Sequence, residues 1–164
     1  MKSLMKIKLL VLLLVLPSLE AQESRIGPDQ FQLEAIEGSE ARTAITDGPD
    51  NQPAIMVAVA KLGEEFWSVE LRAPGIAIEA GKNYELKFQA RSAPSRYVYV
   101  VPEKTDGNQS SLAEGTILQI SEDWAECTVL FHAADSSTSG RLTLSSLSAV
   151  PASYWFSSFR LTEK

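Results

Sequence analysis

The run Gly81 to Ser92, GKNYELKFQARS, is the feature that most constrains the fold, because a glycine-led turn opens a strict two-residue alternation. Tyr84, Leu86, Phe88 and Ala90 form one series; Asn83, Glu85, Lys87, Gln89 and Arg91 form the other. A strand with that pattern presses its apolar series into a core and holds its polar series on the opposite face. That polar face is either solvated surface or the floor of a groove for a polar, uncharged ligand.

Similar runs recur along the chain. FQLEAI from Phe31 alternates, ARTAIT from Ala41 does so weakly, and AIMVAVA from Ala54 is apolar on both faces. In FWSVELRA, Trp67, Val69 and Leu71 take one face, with Glu70 and Arg72 directed away from the core. Val98 and Val100 then oppose Tyr97, Tyr99 and Val101. TILQI, the run after Trp124, GRLTLSSLS and a closing SYWFSSFRLT complete the series. No segment carries a convincing helical repeat, and Asp, Gly, Pro and Ser clusters separate the strands at short intervals. An all-β sandwich of two antiparallel sheets follows. Residues 31–164 suffice for one domain and are too few for two.

Ahead of that domain, Lys2, Lys6 and Lys8 precede an apolar run from Leu9 to Leu16, followed by Pro17 and Ala21. This is the pattern of a secretory signal peptide over 1–21, too short to span a bilayer at about 20 residues. Cleavage after Ala21 predicts a secreted, periplasmic or cell-envelope protein, not held at the membrane thereafter. Residues 22–30 are polar and aperiodic and are expected to form a leader. The net charge of −6 argues against nucleic acid and anionic membrane as partners, which demand a basic surface. The one thiol, Cys127, excludes an intramolecular disulfide and shares parity with Val129 and Phe131, as a small core residue would. The one histidine, His132, falls on the other face of that strand, and no nucleophile elbow or metal-type His or Cys pair exists. A hydrolase triad has little to build on; a small glycosidase using carboxylates among Glu34, Glu37, Glu64, Glu65 and Glu70 is the remaining enzymatic alternative, and no catalytic activity is expected. Glu64 and Glu65 belong to a solvated turn rather than to a glycosidase pair.

The order Trp67-x-Val69-x-Leu71, Gly81-Lys82-x-Tyr84-x-Leu86-x-Phe88-x-Ala90-Arg91, Asp123-Trp124 leading to Val129-x-Phe131, and a closing aromatic strand resembles the family 4 and 9 (CenC-type) carbohydrate-binding modules. The resemblance spans about Phe31 to Leu161. It implies a jelly-roll β-sandwich of the galactose-binding-domain-like kind. It also implies a polysaccharide of the β-glucan or xylan type, held on a concave sheet face by a non-catalytic module that often accompanies glycoside hydrolases. A structural calcium is frequent in such modules. Here Asp47 and Asp50 in DGPDNQP are the candidate ligands, yet Ser157 and Ser158 stand where the family usually carries an Asp pair, so no cofactor is expected.

Pyranose rings offer C–H patches to aromatic faces, and their hydroxyls need planar donors and acceptors. Glu70, Gln89, Arg91, Tyr97 and Tyr99 supply these, provided that the strands from Gly81 and Arg96 are neighbours sharing one face. Alternatively the tyrosines only cover strand edges. Trp67 and Trp124 are expected in the core, the latter closing one end of the sandwich; Tyr154 and Trp155 stay ambiguous, because a bulge in YWFSSF would exchange their faces. The competing function is a protein-interaction or envelope module on the same jelly roll.

Overall fold

The computed structural model describes residues 23–36, 38–106, 110–147 and 152–164. The proposed signal peptide lies outside them, as does most of Asn108-Gln109-Ser110, which has the Asn-x-Ser pattern of a glycosylation acceptor. The described residues form eleven strands: β1 (Glu23–Ile26), β2 (Gln32–Ala35), β3 (Glu40–Asp47), β4 (Pro53–Lys61), β5 (Val69–Ile78), β6 (Asn83–Ala93), β7 (Arg96–Glu103), β8 (Thr116–Ile120), β9 (Ala125–His132), β10 (Ser137–Ser145) and β11 (Ala152–Glu163). The only helical segments among the described residues are two three-residue 3₁₀ turns. One sheet has the order β3-β4-β11-β6-β9 with β1 added to β11; the other has the order β2-β5-β10-β7-β8. Every pairing is antiparallel. The expected two-sheet jelly roll is therefore what forms.

Alternation decides what lies between the sheets. Tyr84, Leu86, Phe88 and Ala90 of β6 are buried, as are Val69 and Leu71 of β5 and Val98 and Val100 of β7. The centre is aromatic: Phe159 lies 4.8 Å from Phe88 and 4.7 Å from Phe31, ring centre to ring centre. Such offset or tilted pairs add roughly 0.5–1.5 kcal/mol beyond area burial.

A bulge in β11 makes this packing possible. The register to β6 slips between Ser157 and Arg160, and Ser158 takes the left-handed conformation at φ 57°. Before the bulge Tyr154 and Phe156 point inward; after it, Phe159 and Leu161 do. The ambiguity at YWFSSF is thereby resolved, with Tyr154 in the core and Trp155 on the outer face.

Three expectations are corrected. Residues 23–26 of the presumed leader form β1, which takes over the edge of β11 where β4 leaves it: β4 pairs with Ala152–Ser157, and β1 with Phe159–Thr162. Trp67 is 39 % exposed, because the alternation starts only at Val69. Upstream of it a turn intervenes, in which the Ser68 N–H donates to the Glu65 carbonyl at 3.0 Å and the Glu65 N–H to Ser68 Oγ at 3.1 Å. Trp124 does not close the sandwich end; it is half-buried and stands near Arg91.

Candidate functional site

The link between β6 and β7 is only Pro94-Ser95, yet the strands are not paired: β6 lies between β11 and β9, and β7 between β10 and β8. The chain crosses from one sheet to the other at this point. Gln89 and Arg91 consequently occupy the outer face of the six-stranded sheet, while Glu70, Tyr97 and Tyr99 occupy the outer face of the five-stranded sheet. The expected single face does not form. Parity supplies the reason, since a two-residue hairpin here would set Arg91 opposite Val98 and Ala90 opposite Tyr99. Each strand would then turn its polar series onto its partner's apolar one.

The five-stranded sheet carries an outward row from edge to edge, polar except for exposed Ile117 on β8. Glu34 of β2 is opposite Glu70 of β5, Ser145 of β10 is opposite Tyr99 of β7, and Tyr99 is opposite Ile117 of β8. A hydrogen bond between Ser145 and Glu70 joins the two halves. At the usual strand spacing this row is roughly 19 Å long. Tyr97 lies one row further, opposite Gln119, and is 60 % exposed.

Between the tyrosines and β2 the floor is an ionic network. Arg72 Nε donates to Glu70 at 2.9 Å, and the same guanidinium is ion-paired with Glu34. Arg141 Nε donates to Glu103 at 3.0 Å, and Thr143 Oγ1 donates to the same carboxylate at 2.6 Å. Burial pushes the Glu70 carboxyl above its ordinary range; Glu103 adds to this, and Ser145 and Arg141 oppose it. Burial likewise lowers the Arg72 guanidinium. The pairing does not use every lone pair of the carboxylates, so hydroxyl groups can still be bound by a floor already held in place. A depression of about 370 Å³ opens over this floor, lined by Gln32, Glu34, Arg72, Thr105 and Arg141 among others. Two larger depressions, about 850 and 430 Å³, lie elsewhere, and none of the three has an exposed aromatic ring in its lining.

Antiparallel order brings the start of β5 to the same end of the sheet as the start of β7. Phe66 and Trp67, edge to face with ring centres 4.7 Å apart, therefore stand in the turn at the end where Tyr97 begins its strand. Trp67 is exposed against the core expectation, whereas Phe66, which alternation sets opposite Trp67, Val69 and Leu71, does lie away from the core. The signal available was the break in parity at Ser68.

Asp47 and Asp50 flank a turn that closes on itself: the Gly48 N–H donates to the Gln52 carbonyl at 2.8 Å, and the Gln52 N–H to the Pro49 carbonyl at 3.0 Å. Ser157 Oγ donates to the Pro53 carbonyl at 2.8 Å. Among the described residues no three of His, Cys, Asp and Glu come together as a metal site. Two aspartates and a serine hydroxyl engaged with a backbone carbonyl do not fit the six to eight oxygens that calcium takes. Cys127 faces inward, where burial and then Glu126 push its thiol up to about 11, keeping it protonated and unreactive. His132 is on the opposite face, with Nδ1 3.0 Å from Asn83 Oδ1.

A family model described as "Carbohydrate binding domain" matches residues 34–150. Among solved structures, one titled "CBM4 structure and function" aligns with a TM-score of 0.71 at 16 % identity, covering 84 % of this chain and 89 % of that one. The N-terminal cellulose-binding domain of β-1,4-glucanase C from Cellulomonas fimi aligns with a TM-score of 0.64 at 17 % identity, covering 84 % and 91 %. A family 11 carbohydrate-binding module of a cellulosomal cellulase from Clostridium thermocellum gives 0.61 at 11 %, covering 87 % and 95 %. At such identities the likeness establishes the fold. No curated protein matches the chain.

Proposed function

The chain belongs to the carbohydrate-binding domain family whose model covers most of it, a family of non-catalytic binding domains, and on that premise we propose that the outer face of the five-stranded sheet binds a polysaccharide of the β-glucan or xylan type. The observation that carries this reading is the edge-to-edge row from Glu34 to Ile117, with exposed Tyr97 beside it and a carboxylate–guanidinium floor beneath. Tyr97 and Tyr99 give stacking platforms, and Glu70, Arg72, Glu103 and Arg141 bind hydroxyls. The protein acts outside the cytoplasm, in company with glycoside hydrolases. Cleavage after Ala21 would leave β1 whole, since that strand starts at Glu23; an intact Met1 on exported material would contradict it.

The test is affinity electrophoresis against soluble β-glucans and xylans. Tyr97→Ala and Tyr99→Ala are the informative variants, because truncating Arg72 would strand Glu34 and Glu70 and confuse binding with stability. Each tyrosine variant is expected to bind about 1–3 kcal/mol more weakly, as truncated interface anchors do. Wild type unretarded by every polymer, or both variants retarded like wild type, defeats the proposal.

A second reading, a protein-interaction module, has one observation in its favour. Ile36, Leu62, Phe66 and Trp67 are all exposed, and the Ile36 N–H bonds to the Ser68 carbonyl at 2.9 Å, which gathers them at one end of the sandwich.

A further inference from the structure

The face opposite the proposed glycan face carries a second aromatic and cationic feature. Met56 of β4, Trp155 of β11 and Arg91 of β6 are successive partners across the six-stranded sheet, and the register of β6 with β9 continues that row to Trp124. The Arg91 guanidinium carbon lies 4.1 Å from the centre of the Trp155 ring and 5.9 Å from that of Trp124. Arg25, Arg72, Arg141 and Arg160 each have a carboxylate partner. Arg91 has none. The carboxylate one pair along, Glu126, is drawn off by Arg160 at 3.4 Å and Lys87 at 4.0 Å. Arg91 Nε is shielded from water and without an acceptor, so the cation rests on the indole beneath it.

We propose that Arg91, between Trp155 and Trp124, forms a second glycan site selective for a carboxylate-bearing sugar, that is, a uronic acid residue of an acidic polysaccharide. One face of the guanidinium is occupied by Trp155, which leaves its in-plane terminal N–H groups as donors. A planar carboxylate fits that edge in a bidentate way, and a compact point charge does not. The indoles stand about two strand spacings apart, roughly 10 Å, on either side of the cation. A pyranose that places its carboxylate on Arg91 can therefore set its C–H face against one of them. Neutral sugars give the unpaired cation nothing that water does not. The two faces of the sandwich thus divide the work, one holding a neutral chain and the other an acidic one.

Retardation by polygalacturonate and alginate, with fully methyl-esterified polygalacturonate and dextran sulfate as controls, tests this. Wild type should be retarded by at least one uronate polymer, less at high salt, and the ester should not retard it. Arg91→Gln should weaken uronate binding about tenfold or more, the range for charge-assisted hydrogen bonds. Arg91→Lys, which keeps the charge and loses the fork, should fail to restore it. Tyr97→Ala should leave uronate binding unchanged, and Arg91→Gln should leave β-glucan or xylan binding unchanged, so the two faces fail separately. The proposal is overturned if no uronate polymer binds, if dextran sulfate binds as well as they do, or if Arg91→Gln and Arg91→Lys bind uronate like wild type.

Discussion

The ring of Tyr99 lies directly over Gly115, so closely that even a β-carbon at position 115 would collide with its Cζ and hydroxyl oxygen. Gly115 ends the loop before β8, and Tyr99 pairs with Ile117 two residues on, so the bare backbone of the loop seats the tyrosine on the glycan face. Gly115→Ala is therefore expected to displace the ring without touching the ionic floor. Binding to the best β-glucan or xylan should weaken as it does in Tyr99→Ala. The overpacking should cost about 1–3 kcal/mol in urea unfolding. A variant with wild-type affinity would show that Tyr99 is not part of the face.

Trp67 distinguishes the glycan reading from the protein-interaction reading. At 39 % exposure and outside the alternating strand, it should tolerate Trp67→Ala with well under the 3–5 kcal/mol loss of a core aromatic. Under the glycan reading the same variant binds polysaccharide about 1–3 kcal/mol more weakly. Unchanged affinity would assign the end patch to another partner.

Phe88→Ala should behave in the opposite way. The ring is 1 % exposed and stacked on Phe159, so its removal leaves a cavity and costs about 3–5 kcal/mol. Glycan affinity of the folded fraction should stay at the wild-type value, because Phe88 faces the core and neither outer face.

Glu70 gives the stability a specific pH dependence. Its folded carboxyl titrates above 4.5, chiefly through burial, so between the unfolded and folded values the native state holds more protons than the unfolded state. Stability from this group is greatest below 4.5 and is lost as the pH rises through the raised value. In Glu70→Gln that loss disappears. Unfolding free energies of the two proteins, compared across this window, should show wild type losing ground to the variant with rising pH. A constant difference would contradict the burial argument.

Chelator and reductant should both leave the melting temperature where it is. The turn at Asp47 and Asp50 is closed by its own hydrogen bonds and by Ser157, and Cys127 is the one thiol. A fall of more than about 5 °C with chelator, on the order of 1 kcal/mol, would reveal a bound metal that the donor set does not suggest.

Period-two alternation was enough to say which side chains of each strand turn inward, and hence that Tyr84, Leu86, Phe88, Val98 and Leu71 make the core while Glu70, Arg91, Tyr97 and Tyr99 do not. That information is local, since the backbone alone sends successive side chains to opposite faces. What no strand encodes by itself is which sheet it joins. The crossing at Pro94-Ser95 put Arg91 and Tyr99 on opposite sides of the molecule, and only the pairings of β6 with β11 and β9, and of β7 with β10 and β8, decide it. Trp67 and Trp155 illustrate the same division. A turn held by Ser68 and a bulge at Ser158 each interrupt the period, and where a period breaks, the face a residue takes is set by the hydrogen bonds and packing of distant strands.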